Sequence, residues 1–240
     1  MSVISAANLS KHDVILTIST YTPNILLAVV AVENTVFSNT AGTAPAAGVD
    51  LEPDFPHEGM TNISFKDCSL PGNAGGGFQI YLGTYNASAK PFSVRLTNMQ
   101  ITGGGSFGFG FGGLAEGVRG AVTVSDSVVQ GVPSSPVLIF RRKGLSNSAS
   151  FQNCRFIDSC GTKPTCAPIA LDMNPGINTS IGNISFTDCQ VEDAVDRPWL
   201  RATPGFSAVI TTRMRVTNPH GCTTEGLKLP VQCGGAPPRG

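Results

Sequence analysis

Strand-like stretches return along this 240-residue chain at a nearly constant interval, and that period excludes most folds. AGVDLEPD (Ala47–Asp54) is followed by GFQIYL (Gly77–Leu82), SFGFGF (Ser106–Phe111), PVLIFR (Pro136–Arg141), PIALDM (Pro168–Met173) and PWLRAT (Pro198–Thr203). Counted from Gly48 in the first, the starts fall at 48, 77, 106, 136, 168 and 198, so the intervals are 29, 29, 30, 32 and 30. In the first of them Val49 and Leu51 share one face, Asp50 and Glu52 the other, as period-two alternation requires. A steady period of this length marks a solenoid, in which each repeat buries its apolar face only against its neighbours.

A second ladder keeps step with the first. It comprises ISFKDC (Ile63–Cys68), VRLTNM (Val94–Met99), VTVSDS (Val122–Ser127), ASFQNC (Ala149–Cys154) and ISFTDC (Ile184–Cys189), with VAVENT (Val30–Thr35) as an earlier member. Each carries an Asp or Asn near its end, a side chain suited to a bend. Two strands and two turns per repeat leave little room for helix, and no segment has a capped helical period. The chain is therefore expected to be all-β, a single-stranded right-handed parallel β-helix of about 30 residues per rung.

The unbroken period argues for one elongated domain over residues 1–217, followed by an irregular tail at 218–240, rich in Gly and Pro. SVISAA near the start reads as a rung in the register of Val49 and Asp50. The spacing from Ser2 to Asp50 exceeds one repeat by about 18 residues, a surplus assigned to an insertion at 11–31. Because Ser2 already lies in a strand, the chain reads as the C-terminal part of a longer solenoid. Its beginning has no secretory signal, and the apolar run Ile25–Val32 is too short to span a bilayer.

Only 13% of residues are charged and the formal net charge is zero, so no basic stripe exists to hold nucleic acid. Of the seven cysteines, Cys68, Cys154 and Cys189 fill one repeat position and read as free core thiols. Cys160 with Cys166, and Cys222 with Cys233, are spaced to close short disulfides, which would place the chain in an oxidising compartment; the alternative is seven reduced thiols. The histidines are scattered and no C-x-x-C occurs, which argues against zinc.

SVISAANL, FSNTAGTAPAAGVDLEP, NISFKDC, PIALDMN and DRPW together resemble a subgroup of pectate-lyase-like right-handed β-helix proteins. The similarity covers Ser2–Leu9 and Phe37–Thr203, and Lys11–Ala31 departs from it. The resemblance implies an extracellular protein that binds or acts on polysaccharides. It also implies that rungs usually preceding SVISA, with any catalytic group on them, are missing.

With every strand in the same register, the outward face of the first ladder has two columns. One runs Asp50, Gln79, Gly108, Leu138, Ala170 and the other Glu52, Tyr81, Gly110, Phe140, Asp172. Rungs about 4.8 Å apart put Gln79 beside Asp50 and Tyr81 beside Glu52. Asp50 and Glu52, with Cα atoms roughly 6.5–7 Å apart, fit the carboxylic pair of a glycosidase, whose carboxyl groups lie about 5–9.5 Å apart. With Asp54 they form instead a candidate Ca²⁺ site; otherwise no cofactor is expected. Gln79, Tyr81, His57, Glu58, Arg142 and Asp172 complete the expected saccharide contacts. Asp172 is about 19 Å from Asp50, too far to be its catalytic partner, and Arg201 is its expected ion-pair neighbour.

The bland alternative for the acidic cluster is a solvated strand edge. Phe107, Phe109 and Phe111 are expected to point inward, with glycines outward as a flat floor. Gly104-x-Ser106-x-Gly108 and Gly108-x-Gly110-x-x-Gly113 match hydrolase and dinucleotide motifs, but the strand–turn–helix or βαβ context each needs is missing. Two functions follow. One is a monomeric β-helix that binds a polysaccharide and, if catalytic, cleaves it by hydrolysis through Asp50 and Glu52. Hydrolysis is preferred there to a lyase's elimination served by the basic cluster Arg141, Arg142 and Lys143. The other is a non-catalytic binding or structural module.

Overall fold

In a computed structural model the chain is a right-handed parallel β-helix of about 29 residues per turn. The structure describes residues 2–7, 16–17, 28–40, 47–52, 60–82, 91–114, 119–141, 146–173, 183–204, 209–217, 223–227 and 233–234. Every strand pairing among them is parallel and none of them is helical. One sheet orders Leu16–Thr17, Val49–Leu51, Phe78–Tyr81, Phe109–Leu114, Val137–Arg141, Ile169–Met173, Leu200–Ala202 and Thr224–Glu225. The other stacks longer strands, from Ser2–Ala7 and Ala28–Glu33 through Met60–Lys66 and Phe92–Thr97 to Val209–Thr217.

The bend in that second sheet explains its Asp/Asn column. Asn34, Asp67, Asn98, Asp126, Asn153 and Asp188 all hold positive φ, between 51° and 54°. This is the left-handed conformation that Asn and Asp tolerate better than other residues with a Cβ. Beyond it the chain resumes as short strands such as Gln100–Thr102, Val128–Gln130 and Arg155–Ile157, stacked in register. The column also bonds along the axis: Asn98 Nδ2 donates to Asp67 Oδ1 at 2.7 Å and Asn153 Nδ2 to Asp126 Oδ1 at 2.8 Å. Directly after the bend, Cys68, Cys154 and Cys189 are buried free thiols, each bonded to a carbonyl two residues earlier.

Alternate side chains fill the coil. Val49, Leu51, Phe78, Ile80, Phe109 and Phe111 come from the first sheet, Phe65, Leu96, Val124, Phe151 and Phe186 from the second. Phe151 and Phe186 stack at 4.9 Å between ring centroids, and Trp199 meets Phe186 edge-on. A parallel sheet needs such a continuous apolar interior, and the repeat supplies it rung by rung.

Three expectations change. Ser2–Ala7 joins the second ladder, pairing with Ala28–Glu33, and not the ladder of Val49 and Asp50. Within 11–31, Leu16–Thr17 pairs with Val49 and Asp50 while Ala28 to Ala31 lie in a strand, so this stretch gives strands to both ladders. In the tail, Thr224–Glu225 and Cys233–Gly234 each extend a ladder.

Candidate functional site

Asp50 sits on the short strand Val49–Leu51, between two residues that are 0% exposed inside the coil. Strand alternation therefore turns its side chain outward. Even so it is only 7% exposed, and its Oδ1 has no hydrogen-bond partner among the described residues. Burial pushes its pKa up to about 6; the nearby Glu52 charge adds to the rise, and the Gln79 side chain opposes it by hydrogen bonding. A carboxyl so placed is held toward its neutral, proton-carrying form.

The neighbours follow from the register. Asp50 pairs with Gln79 and Leu51 with Ile80; Glu52 and Tyr81 each follow that last pair by one residue. Glu52, Gln79 and Tyr81 are half-buried. Here the sequence-based columns hold, so Asp50, Glu52, Gln79 and Tyr81 do come together.

One rung further the expected register is wrong by two residues. Gly110, and not Gly108, lies opposite Gln79, and Gly112, not Gly110, opposite Tyr81. The Gly108 Cα points its missing side chain at Val129 in the core, so that glycine is no part of an outer floor. Phe109 and Phe111 are buried as expected, but Phe107 is not inside the coil with them. Its Cδ2–Cε2–Cζ edge is seated against Gly110 and Gly76, where an added Cβ would come within 2.5 and 2.1 Å of the ring. Phe107 is only partly buried, whereas Phe109 is 0% and Phe111 3% exposed. The flat glycine floor is thus covered by an aromatic ring on the outer face. Sequence reasoning missed this residue; the signal was a pair of glycines at Gly76 and Gly110 whose side-chain space something had to fill.

Beyond Gly110 the column continues through Leu138 and Ala170 to Arg201. Leu138 and Ala170 are half-buried, which leaves an apolar stretch next to Phe107. Arg201 bonds Glu225, its Nε and Nη2 reaching Oε2 at 2.9 and 2.6 Å, while the expected ion pair with Asp172 lies outside the described side chains. Asp172 pairs in register with Phe140, four rungs from Asp50, and only its backbone is described.

His57, Glu58, Asp54 and Arg142 lie outside the described residues. Among the described residues no group of three His, Cys, Asp or Glu could hold a metal ion. Calcium binds several ionised or carbonyl oxygens, and a carboxyl held toward its neutral form is a weak start for such a site. Among the described residues, too, no helix is long and apolar enough to cross a membrane.

Elsewhere the structure closes the expected Cys160–Cys166 disulfide, while Cys222, of the other expected pair, lies outside the described residues. Comparisons with family models, curated proteins and solved structures return no match for this chain. The fold therefore rests on the strand pairing itself.

Proposed function

We propose that this β-helix binds a polysaccharide along the outer face of its shorter-stranded sheet and hydrolyses it at Asp50 and Glu52. The observation that carries the reading is the Asp50 carboxyl: outward-facing, 7% exposed, with one oxygen unpartnered and a pKa pushed up to about 6. Proteins rarely leave a buried polar oxygen without a partner, and such exceptions concentrate at functional sites. At mildly acidic pH this group carries the proton that a leaving glycosidic oxygen needs. Glu52, more exposed, acts as the ionised partner at the anomeric carbon, directly or through a water. The scissile C–O bond takes its proton from Asp50, and water supplies the new hydroxyl.

Gln79 and Tyr81, one rung below, supply an amide and a phenol for sugar hydroxyls. Elimination is disfavoured because Arg141, the one described member of the basic cluster, lies three rungs from Asp50, about 14 Å by strand spacing. The Cys160–Cys166 bridge supports an extracellular setting, where such a bond persists.

The test is release of reducing ends, monitored alongside ultraviolet-absorbing elimination products, from a panel of soluble plant and algal polysaccharides. Wild type releases reducing ends from at least one and Asp50→Asn releases none. Binding without turnover by both proteins would leave the non-catalytic module, and unsaturated products would replace hydrolysis by elimination.

A further inference from the structure

We propose that Asn183 and Asn62 are N-glycosylation sites, each carrying an oligosaccharide on the longer-stranded sheet and away from the shorter-stranded sheet that holds Asp50. Nothing in this depends on cleavage at Asp50.

The acceptor pattern N-x-[ST] occurs at Asn8, Asn62, Asn86, Asn178 and Asn183. Asn62 and Asn183 are the two that lie among the described residues, and both open the same tripeptide, NIS. Each stands one residue ahead of a register column that runs Ile63, Val94, Val122, Ala149 and Ile184. Ile63 and Ile184 point into the coil at 1% and 0% exposure, while Asn62 and Asn183 are exposed. A glycan is bulky and hydrophilic, so an amide already standing in water accepts one without disturbing the core.

Asparagines with a structural task lie outside the pattern. Asn73 Nδ2 donates to the Phe37 carbonyl at 3.1 Å, Asn98 Nδ2 to Asp67 and Asn153 Nδ2 to Asp126. None of these three has Ser or Thr two residues on. Asn183 is different, because its strand position accepts almost anything: Ser93, Ala121, Ser148 and Val209 occupy it in other rungs. Asn62 holds φ 57°, so its backbone favours asparagine in any case. Asn183 therefore carries the assignment, and Asn62 follows by sharing its motif and its place in the rung.

The Cys160–Cys166 bridge is an independent pointer, since such bonds persist in the oxidising lumen of the secretory route, where N-glycans are attached. The pattern is also absent from every first-ladder segment, from 47–54 to 198–203. In the transfer, Asn Nδ2 attacks the anomeric carbon of a lipid-pyrophosphate-linked oligosaccharide. The C–N bond forms as the C–O bond to pyrophosphate breaks. The lipid pyrophosphate leaves with the electron pair, and the amide nitrogen gives a proton to a base of the transferase.

The full chain is directed into the secretory route of a eukaryotic cell by an added leader. Protein from medium and lumen is treated with peptide N-glycosidase in heavy-oxygen water and its peptides are mapped by mass. Label is expected at Asn183 and Asn62. Ser185→Ala and Ser64→Ala should each remove one glycan, and Ser185→Thr and Ser64→Thr should keep it. The hydroxyl is varied because a glutamine at position 62 would meet the strained φ. An unlabelled Asn183 in wild type overturns the proposal, as does a glycan there that survives Ser185→Ala; an unlabelled Asn62 overturns that site. Enzymatic deglycosylation should leave any polysaccharide affinity unchanged. A rise in affinity would put a glycan over the shorter-stranded sheet and overturn the placement.

Discussion

Two carboxyl groups at opposite ends of the coil are buried alike, Asp50 at 7% and Asp193 at 6% exposure, yet their surroundings differ completely. Asp193 is saturated. Its Oδ2 takes Arg197 Nε at 2.5 Å, and its Oδ1 takes Arg197 Nη2 at 2.8 Å and the Val195 amide at 3.0 Å. Arg197, 1% exposed, spends its other donors on the carbonyls of Ser159, Gly161 and Lys163, at 2.8 to 2.9 Å, and of Cys160 at 3.4 Å. It thereby pins the loop that the Cys160–Cys166 bridge closes. Among the described residues Asp50 has no cation against it and one oxygen without a hydrogen-bond partner. The first arrangement is what structure requires of a buried charge, since each donor and acceptor must be matched. The second leaves a polar atom waiting for something from outside.

Substitution should separate the two ends in opposite directions. Asp50→Asn should lower turnover by about 10²–10⁴-fold, the usual contribution of a positioned acid or base, while its thermal midpoint at pH 7 equals or exceeds that of wild type. Arg197→Ala strands a carboxylate and several carbonyls in the interior. A loss of about 3–5 kcal/mol is expected in denaturant unfolding. If Asp50→Asn unfolds the protein, or Arg197→Ala does not destabilise it, the distinction between a waiting carboxyl and a structural one is lost.

Titration sharpens the same contrast. The Asp50 pKa in the folded chain, about 6, lies above its ordinary value of 3.8. Between these values the folded state binds the proton more tightly than the unfolded one. Its contribution is therefore complete below about pH 3.8 and is lost as pH rises through about 6. The rise from 3.8 to about 6 corresponds to about 3 kcal/mol at most. Unfolding free energies measured from pH 4 to 7 should fall more steeply for wild type than for Asp50→Asn. Parallel curves would show that Asp50 titrates normally.

Sequence revealed the parts of this molecule that repetition enforces. The coil, its period and the thiol column of Cys68, Cys154 and Cys189 were legible because each rung must return to the same side. So was the meeting of Asp50 with Gln79, where two adjacent rungs align without ambiguity. The register of SFGFGF failed because Phe-Gly alternation looks the same after a shift of two. Only the fit of Phe107 against Gly76 and Gly110 decides it, and that contact leaves no periodic trace. Ser2–Ala7 went to the wrong ladder because its apolar alternation suits either sheet. The Asp193–Arg197 clamp was hidden because an acid and a base four apart read as surface charges until the disulfide loop closes over them.

A third carboxylate, Asp67, sets the lower end of the scale, because its partner sits at the surface. Asn98 donates to it at 2.7 Å from the next rung, and both residues hold the left-handed bend. The bend needs Asn or Asp for its backbone, so conformation alone would accept aspartate at either position. Along the axis, however, the column alternates: Asn34, Asp67, Asn98, Asp126, Asn153, Asp188, with Arg213 against the last. Two aspartates in succession would stack like charges about one rung apart, about 4.8 Å. Asn98→Asp should therefore cost about 1 kcal/mol, less than either buried site because water screens the pair. Raising the salt concentration should recover part of that loss, and lowering the pH below the carboxylate range should abolish it. Asn98→Gly keeps the bend without adding charge and should show neither dependence. A salt-insensitive loss in Asn98→Asp would mean that the bend, and not the charge order along the axis, selects these residues.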